Sequence, residues 1–235
     1  GLIIVVFSFE IYKTITMKKI FSLLTVLLIT ACSFAQINEG KVKYNLEFNS
    51  PDPAMQAQFA MLKGSTMQMY FSPEFNRVEM NMGMFVQSAT VVDIKGKQSV
   101  MTMDGMMGKK ATKMSTESPE KEETPDVEVE KTTESKKVAG YKCTKYIITT
   151  EDGSVVNMWV TDELVSSKEG MQFVDDKIQG FPLEFEVAAE GMTMVFSAIE
   201  VEKGLKKYNK KDIFNMSIPE GYEVINAEDW KGMGM

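Results

Sequence analysis

The chain contains no histidine, a single arginine (Arg77) and only two cysteines in 235 residues. The missing histidine removes the Ser–His and Cys–His nucleophile pairs, the commonest general base and the commonest metal ligand. One arginine, with lysines scattered among 33 carboxylates and a formal net charge of −7, leaves no clustered positive face for a nucleic-acid backbone. If Cys32 leaves with an export leader, Cys143 stands alone and no disulfide can form within the chain. Cys143 opens an apolar strand. Two readings fit it: a thiol activated by the flanking lysines, or, better supported, a small buried hydrophobe on the inner face.

What the chain does have begins with an address. Met17-Lys18-Lys19, an apolar run over residues 20–29, and the small-residue exit Ser33-Phe34-Ala35 read as a secretory signal peptide over residues 17–35. Residues 1–16 read as a mis-started upstream segment. The apolar run is too short for a permanent transmembrane helix, so the mature chain carries no transmembrane anchor and is expected in the periplasm or outside the cell. Thr30-Ala31-Cys32 also fits a lipobox. In that alternative Cys32 is lipidated and the protein is an outer-membrane lipoprotein.

From residue 41 the pattern is period two. Val42, Tyr44, Leu46 and Phe48 alternate with polar side chains, the signature of a half-buried strand. Pro51-Asp52-Pro53 ends it, and Asp52 caps a short helix that presents Met55, Phe59 and Leu62 on one side before Gly64 stops it. Further strands are expected over 67–71, 77–84, 88–94 and 97–103, with Lys95-Gly96 as a hairpin turn. Later strands are expected over 146–150 and 154–160, around the turn Glu151-Asp152-Gly153. A brief helix capped by Asp162 or Ser166 comes next. Residues 180–187 alternate again, with Phe181, Leu183, Phe185 and Val187 inward, and Pro182 restricts that segment to a strand start or an edge. The last long strand spans 192–201, and an extended closing segment covers 213–218.

Residues 116–137 are rich in Glu, Lys, Ser, Thr and Pro, with no aromatic side chain, and read as a flexible acidic insertion. Residues 36–224 therefore form a single β-rich domain, followed by a loose tail over 225–235. The fold class is mainly β (α+β): a curved antiparallel sheet forming an open half-barrel with one or two short helices.

Five strings carry a family likeness: Phe34-Ala35-Gln36, Ala139-Gly140-Tyr141-Lys142-Cys143 with Lys145-Tyr146, Trp159-Val160-Thr161-Asp162, Gly180-Phe181-Pro182-Leu183-Glu184 and Ile218-Pro219-Glu220-Gly221-Tyr222-Glu223. In order, over residues 40–224, they resemble domain of unknown function 4412, a family of secreted bacterial proteins. That family in turn is similar to lipoprotein carriers of the LolA type. The resemblance implies an open half-barrel closed by helices over an apolar cavity, and no assigned reaction.

Twelve of the twenty methionines lie between Met55 and Met114, and many recur at a spacing of two, which puts them on one strand face. Core packing is the plainest reading. The second is an adaptable cavity for a lipid-like ligand, a hydrophobic ligand or an acyl chain, lined by Met67, Met69, Val78, Met80, Met82, Met84, Met101, Met103, Phe181, Phe185, Met192 and Met194. A third reading is a copper(I) site on Met80, Met82 and Met84. The acid pairs Glu184/Glu186 and Asp175/Asp176 fall on an outward face and in a loop. They carry no catalytic assignment, and no cofactor is expected. The leading reading is a non-enzymatic exported protein that binds a hydrophobic ligand, with an envelope protein as a possible partner. The alternative is a structural or interaction module with a closed core. A far-ultraviolet circular dichroism spectrum dominated by β-structure is the expected outcome, and a mostly helical one overturns the strand assignment.

Overall fold

A computed structural model describes residues 36–106, 108–116, 127–150, 153, 155–167, 177–189 and 192–232. Gln36–Met235 hold together as one compact unit. Twelve strands form one sheet: β1 (Gly40–Asn49), β2 (Thr66–Phe71), β3 (Phe75–Asn81), β4 (Val86–Asp93), β5 (Gln98–Gly105), β6 (Gly108–Ser115), β7 (Glu128–Val138), β8 (Tyr141–Thr149), β9 (Val155–Thr161), β10 (Phe181–Ala189), β11 (Met192–Lys203) and β12 (Glu223–Val224). The spatial order is β12-β6-β5-β4-β3-β2-β1-β11-β10-β9-β8-β7. Two meanders, β1–β6 and β7–β11, are thus joined by antiparallel pairing of β1 with β11 along all ten residues of β1. Only β12 runs parallel, against β6.

Chain length dictates curvature. From β6 to β7 there are ten strand spacings, about 48 Å if flat, and the connection must also travel the length of the strands. The thirteen steps from Ser115 to Glu128 reach at most about 47 Å. The sheet must bend, and the side chains show it bending. The rings of Phe71 on β2 and Phe181 on β10 lie 5.1 Å apart, although β1 and β11 run between those strands. Tyr44 Oη donates to the Pro182 carbonyl at 2.8 Å across β11. Gly40 permits this bend, because a Cβ there would sit 3.0 Å from the Phe71 ring and 2.5 Å from the Glu202 carbonyl oxygen.

The even positions of β1 and β3, the odd positions of β2 and their partners face the inside of the curve. Tyr44, Met67, Phe71, Cys143, Tyr146, Met158, Val160, Phe181, Leu183, Phe185 and Phe196 form one continuous core there. The outer face is crossed by the chain after β11. Leu205, Tyr208 and Phe214 pack on Tyr70, Phe75 and Val91, and Lys41 sits between the Tyr70 and Tyr208 rings, 5.3 and 5.5 Å from their centroids.

Helix α1 (Pro53–Phe59) starts as expected, with the Asp52 carboxylate accepting from Ala54 N at 2.8 Å. It continues as a 3₁₀ turn over Ala60–Leu62. Five expectations need correction. Strand β3 ends at Asn81, so Met84 lies in the following turn and not on a strand. Residues 128–137 belong to strand β7 rather than to a flexible insertion. That strand sits at the sheet edge, where Glu and Lys side chains remain solvated while the backbone pairs with β8; residues 117–126 lie outside the described part. A helical turn, α2 (Lys210–Ile213), capped by Asn209, precedes the expected closing segment and takes in its first residue, Ile213. The tail is not loose through its length, because Ile225 N bonds to the Ala111 carbonyl and α3 (Ala227–Gly232) buries Trp230. Residues 162–167 form no helix. Leu164 bridges Ile37 there, and the rest of that expected helix is not among the described residues. Asp175, Asp176, Glu151 and Asp152 are also outside them.

Cys143 is fully buried, and its Sγ donates to the Tyr141 carbonyl at 3.7 Å. Burial pushes the thiol from about 9 up to about 11, so the inert hydrophobe is the correct reading. The folded state therefore holds this proton more tightly than the unfolded chain does. The associated stability is complete below pH 9 and drains away as the pH climbs towards 11. Accordingly, the wild-type urea midpoint is expected to lose its lead over Cys143→Ala across that interval, and a constant gap would contradict the assignment. Phe181→Ala, at the seam of the two meanders, is expected to cost about 3–5 kcal/mol in urea unfolding.

Candidate functional site

The register sorts the inner face into transverse rows. Tyr44, Met67, Met80, Ser88 and Met103 form one row, and Val42, Met69, Val78, Thr90 and Met101 the next. On the other side of β1, Leu46 aligns with Phe196, Phe185, Met158 and Tyr146, while Phe48 aligns with Met194 and Val187. Eleven of the twelve residues singled out for a cavity therefore share this face. The twelfth, Met84, is 85% exposed in the β3–β4 turn. Met80 and Met82 stay inside, so the trio needed for copper(I) does not converge.

The inner face is not uniform. Met67, Met69, Met103, Phe181 and Phe185 are fully buried, and the stacked Phe185 and Phe196 rings, 4.6 Å apart, fill the centre of the curve. Towards the end of the sheet where β1 finishes, the packing opens. Met80, Met82, Val187, Met192 and Met194 are half-buried against the same core, as are Phe59 and Leu62 from the helical segment above. Helix α1 buries none of its residues. Its Phe59 ring meets Phe48 at 5.8 Å, and Gln56 ties the helix down by accepting from Ser50 N at 2.9 Å.

Between the end of β1 and this helix lies a cleft of about 500 Å³, lined by Leu46, Phe48, Gln56, Phe59, Leu62 and neighbours. The cleft exists because β2 begins only at Thr66, opposite Asn45, which leaves Glu47–Asn49 of β1 without a neighbour strand on that side. The volume falls within the range of small-molecule sites. Leu46, Phe48, Phe59 and Leu62 line this cleft. The sequence signalled them through alternation and helix spacing, but only the fold shows that they share a rim.

The cleft's chemistry is mixed, with Leu46, Phe48, Phe59 and Leu62 set among the polar side chains of Asn45, Glu47, Asn49, Gln56 and Lys63. Among the described residues no three His, Cys, Asp or Glu side chains gather to hold a metal. Glu184 points outward and pairs with Lys136 at 2.7 Å, and Glu186 accepts from Asn157 Nδ2 at 3.3 Å. Burial raises the Tyr44 hydroxyl well above its ordinary value, which suits a structural donor to Pro182. A second cleft, of about 780 Å³, lies at the opposite end on the outer face, between the β2–β3 turn and α2. Its charges are largely matched, by Lys95 to Glu74 at 2.6 Å and by Lys210 to Glu39.

Comparison with known proteins gives one family and several distant folds. No curated protein matches the chain. Among solved structures, PNGF-II is similar at 15% identity and a TM-score of 0.47 over 83% of this chain, and this chain spans about a third (32%) of its length. An uncharacterised conserved protein from Thermus thermophilus is similar at 9% identity and a TM-score of 0.45, covering 79% of this chain and 90% of that one. A LolA superfamily protein from Nitrosomonas europaea is similar at 11% identity and a TM-score of 0.31, covering 75% and 90%. The family profile described as "Domain of unknown function (DUF4412)" matches residues 54–222, and the chain belongs to that family.

Proposed function

We propose that the protein is a non-enzymatic, exported carrier or receptor for a lipid-like or hydrophobic ligand, which it holds against the open end of its inner face. The observation that carries this reading is the half-buried apolar set Met80, Met82, Val187, Met192 and Met194, joined by Phe59 and Leu62 from a helical segment that buries none of its residues. A core built for stability alone would close over such side chains, since exposed apolar area costs about 25 cal/mol per Å². Methionine suits the task because its unbranched thioether chain adapts to ligands of differing shape. The leader-like residues 17–35 support export to the periplasm, and no helix among the described residues is long and apolar enough to cross a membrane.

The closed centre of the curve, with Phe71 against Phe181 and Tyr44 bonded to Pro182, favours a second reading. In that reading the whole inner face is a packed scaffold and the protein acts through its surface. The two separate on ligand uptake. The carrier reading expects lipid to co-purify with the protein from its own envelope, as seen by native mass spectrometry. It also expects a fluorescent palmitoyl probe to bind with at least roughly tenfold loss in Met82→Glu, whose new charge must be desolvated. A probe affinity identical in wild type and variant, with no lipid retained, establishes the scaffold instead.

A further inference from the structure

Of the seven large hydrophobic side chains most exposed among the described residues, four lie at one end of the sheet: Met61 at 67%, Met84 at 85%, Met106 at 85% and Val155 at 56%. The antiparallel registers place them together. Asn45 of β1 pairs with Thr66, and Thr66 pairs with Asn81, just before the β3–β4 turn. Val86, just after that turn, pairs with Gly105, and Gly105 pairs with Gly108 across the β5–β6 turn. This is the end where β1 finishes and the cleft opens. The two methionine-bearing turns touch, since a Cβ on Gly105 would lie 2.5 Å from the Phe85 carbonyl oxygen.

Their exposure is built in. In the β3–β4 turn Gly83 takes a φ of 66°, and its N–H donates to Asn81 Oδ1 at 2.9 Å. Met82 N and Phe85 N bond to Val86 O and Met82 O. Met84 is thereby held outward by a fixed loop.

We propose that this end is a docking surface for a lipid bilayer, with Met61, Met84 and Met106 entering the boundary between headgroups and acyl chains. The inference rests on the carrier reading, whose cleft opens at the same end and would there meet its ligand. Two features favour a bilayer over a protein. Three separate side chains on neighbouring loops cannot supply the roughly 800 Å² per partner that a stable protein interface buries, whereas an interface plane accepts isolated apolar tips. The charges beside Met106 are matched, Lys109 with Asp104 at 3.2 Å and Lys110 with Glu223 at 3.6 Å, and Lys63 beside Met61 adds one charge, so the attraction is mainly apolar and a neutral membrane suffices.

The test uses the compact unit Gln36–Met235, free of the apolar leader, in flotation with phosphatidylcholine vesicles. The expected result is binding that is unchanged between low and high salt and reduced roughly fivefold in the double variant Met84→Ser, Met106→Ser. That variant should bind the palmitoyl probe as the wild type does, while Met82→Glu should lose the probe and keep its vesicle binding. A failure of docking is thus distinct from a failure of the carrier reading. Docking is overturned if neutral vesicles leave the protein in solution. It is equally overturned if binding requires anionic lipid and dissolves in salt, if the double variant floats as well as wild type, or if the tips prove to mediate self-association.

Discussion

The ladder between β1 and β11 governs the architecture. It runs through all ten residues of β1, and the strands on either side of it, β12 excepted, are added by antiparallel pairing with the neighbour before them. Because the two meanders grow outward from this seam, their far edges are chain neighbours through residues 116–127. That connection is too short to cross a flat sheet. Curvature is thus a consequence of connectivity, and the aromatic contacts inside the curve, Phe71 with Phe181 and Tyr44 with Phe185, are what the bend brings together.

Once the sheet is bent, its two faces acquire different fates. The inner face gathers the alternating apolar side chains and closes over its middle. The outer face is covered along the amino-terminal meander by the returning chain, through Leu205, Tyr208 and Phe214. At the end where β2 starts late, neither device applies. Glu47–Asn49 of β1 lack a neighbour on one side, the helix between β1 and β2 settles over the gap without burying a single residue fully, and Leu46, Phe48, Phe59 and Leu62 line what remains. A cleft here is the geometric remainder of unequal strand lengths, and its lining comes from the last residues of β1 and from the helical segment that follows it.

Much of this was legible beforehand. The alternation of Val42, Tyr44, Leu46 and Phe48, the Asp52 cap, and the inward Phe181, Leu183 and Phe185 each follow from a rule of local geometry. So does the buried, inert Cys143. Other features escaped. Strand β7 reads as a disordered segment because an edge strand needs no apolar face when its backbone is paired. Met84 continues the spacing of Met80 and Met82, yet Gly83 turns the chain before it can take its place. The tail reads as loose because one tryptophan in a polar stretch does not announce what it will rest on.

The order of residues along the chain was enough to settle the fold class and the faces of most strands, since alternation and residue chemistry act over distances of a few residues. Which part of the inner face fills and which stays open was left to the folded arrangement. That division depends on where distant strands stop relative to one another, a matter of register across the sheet that no local pattern encodes.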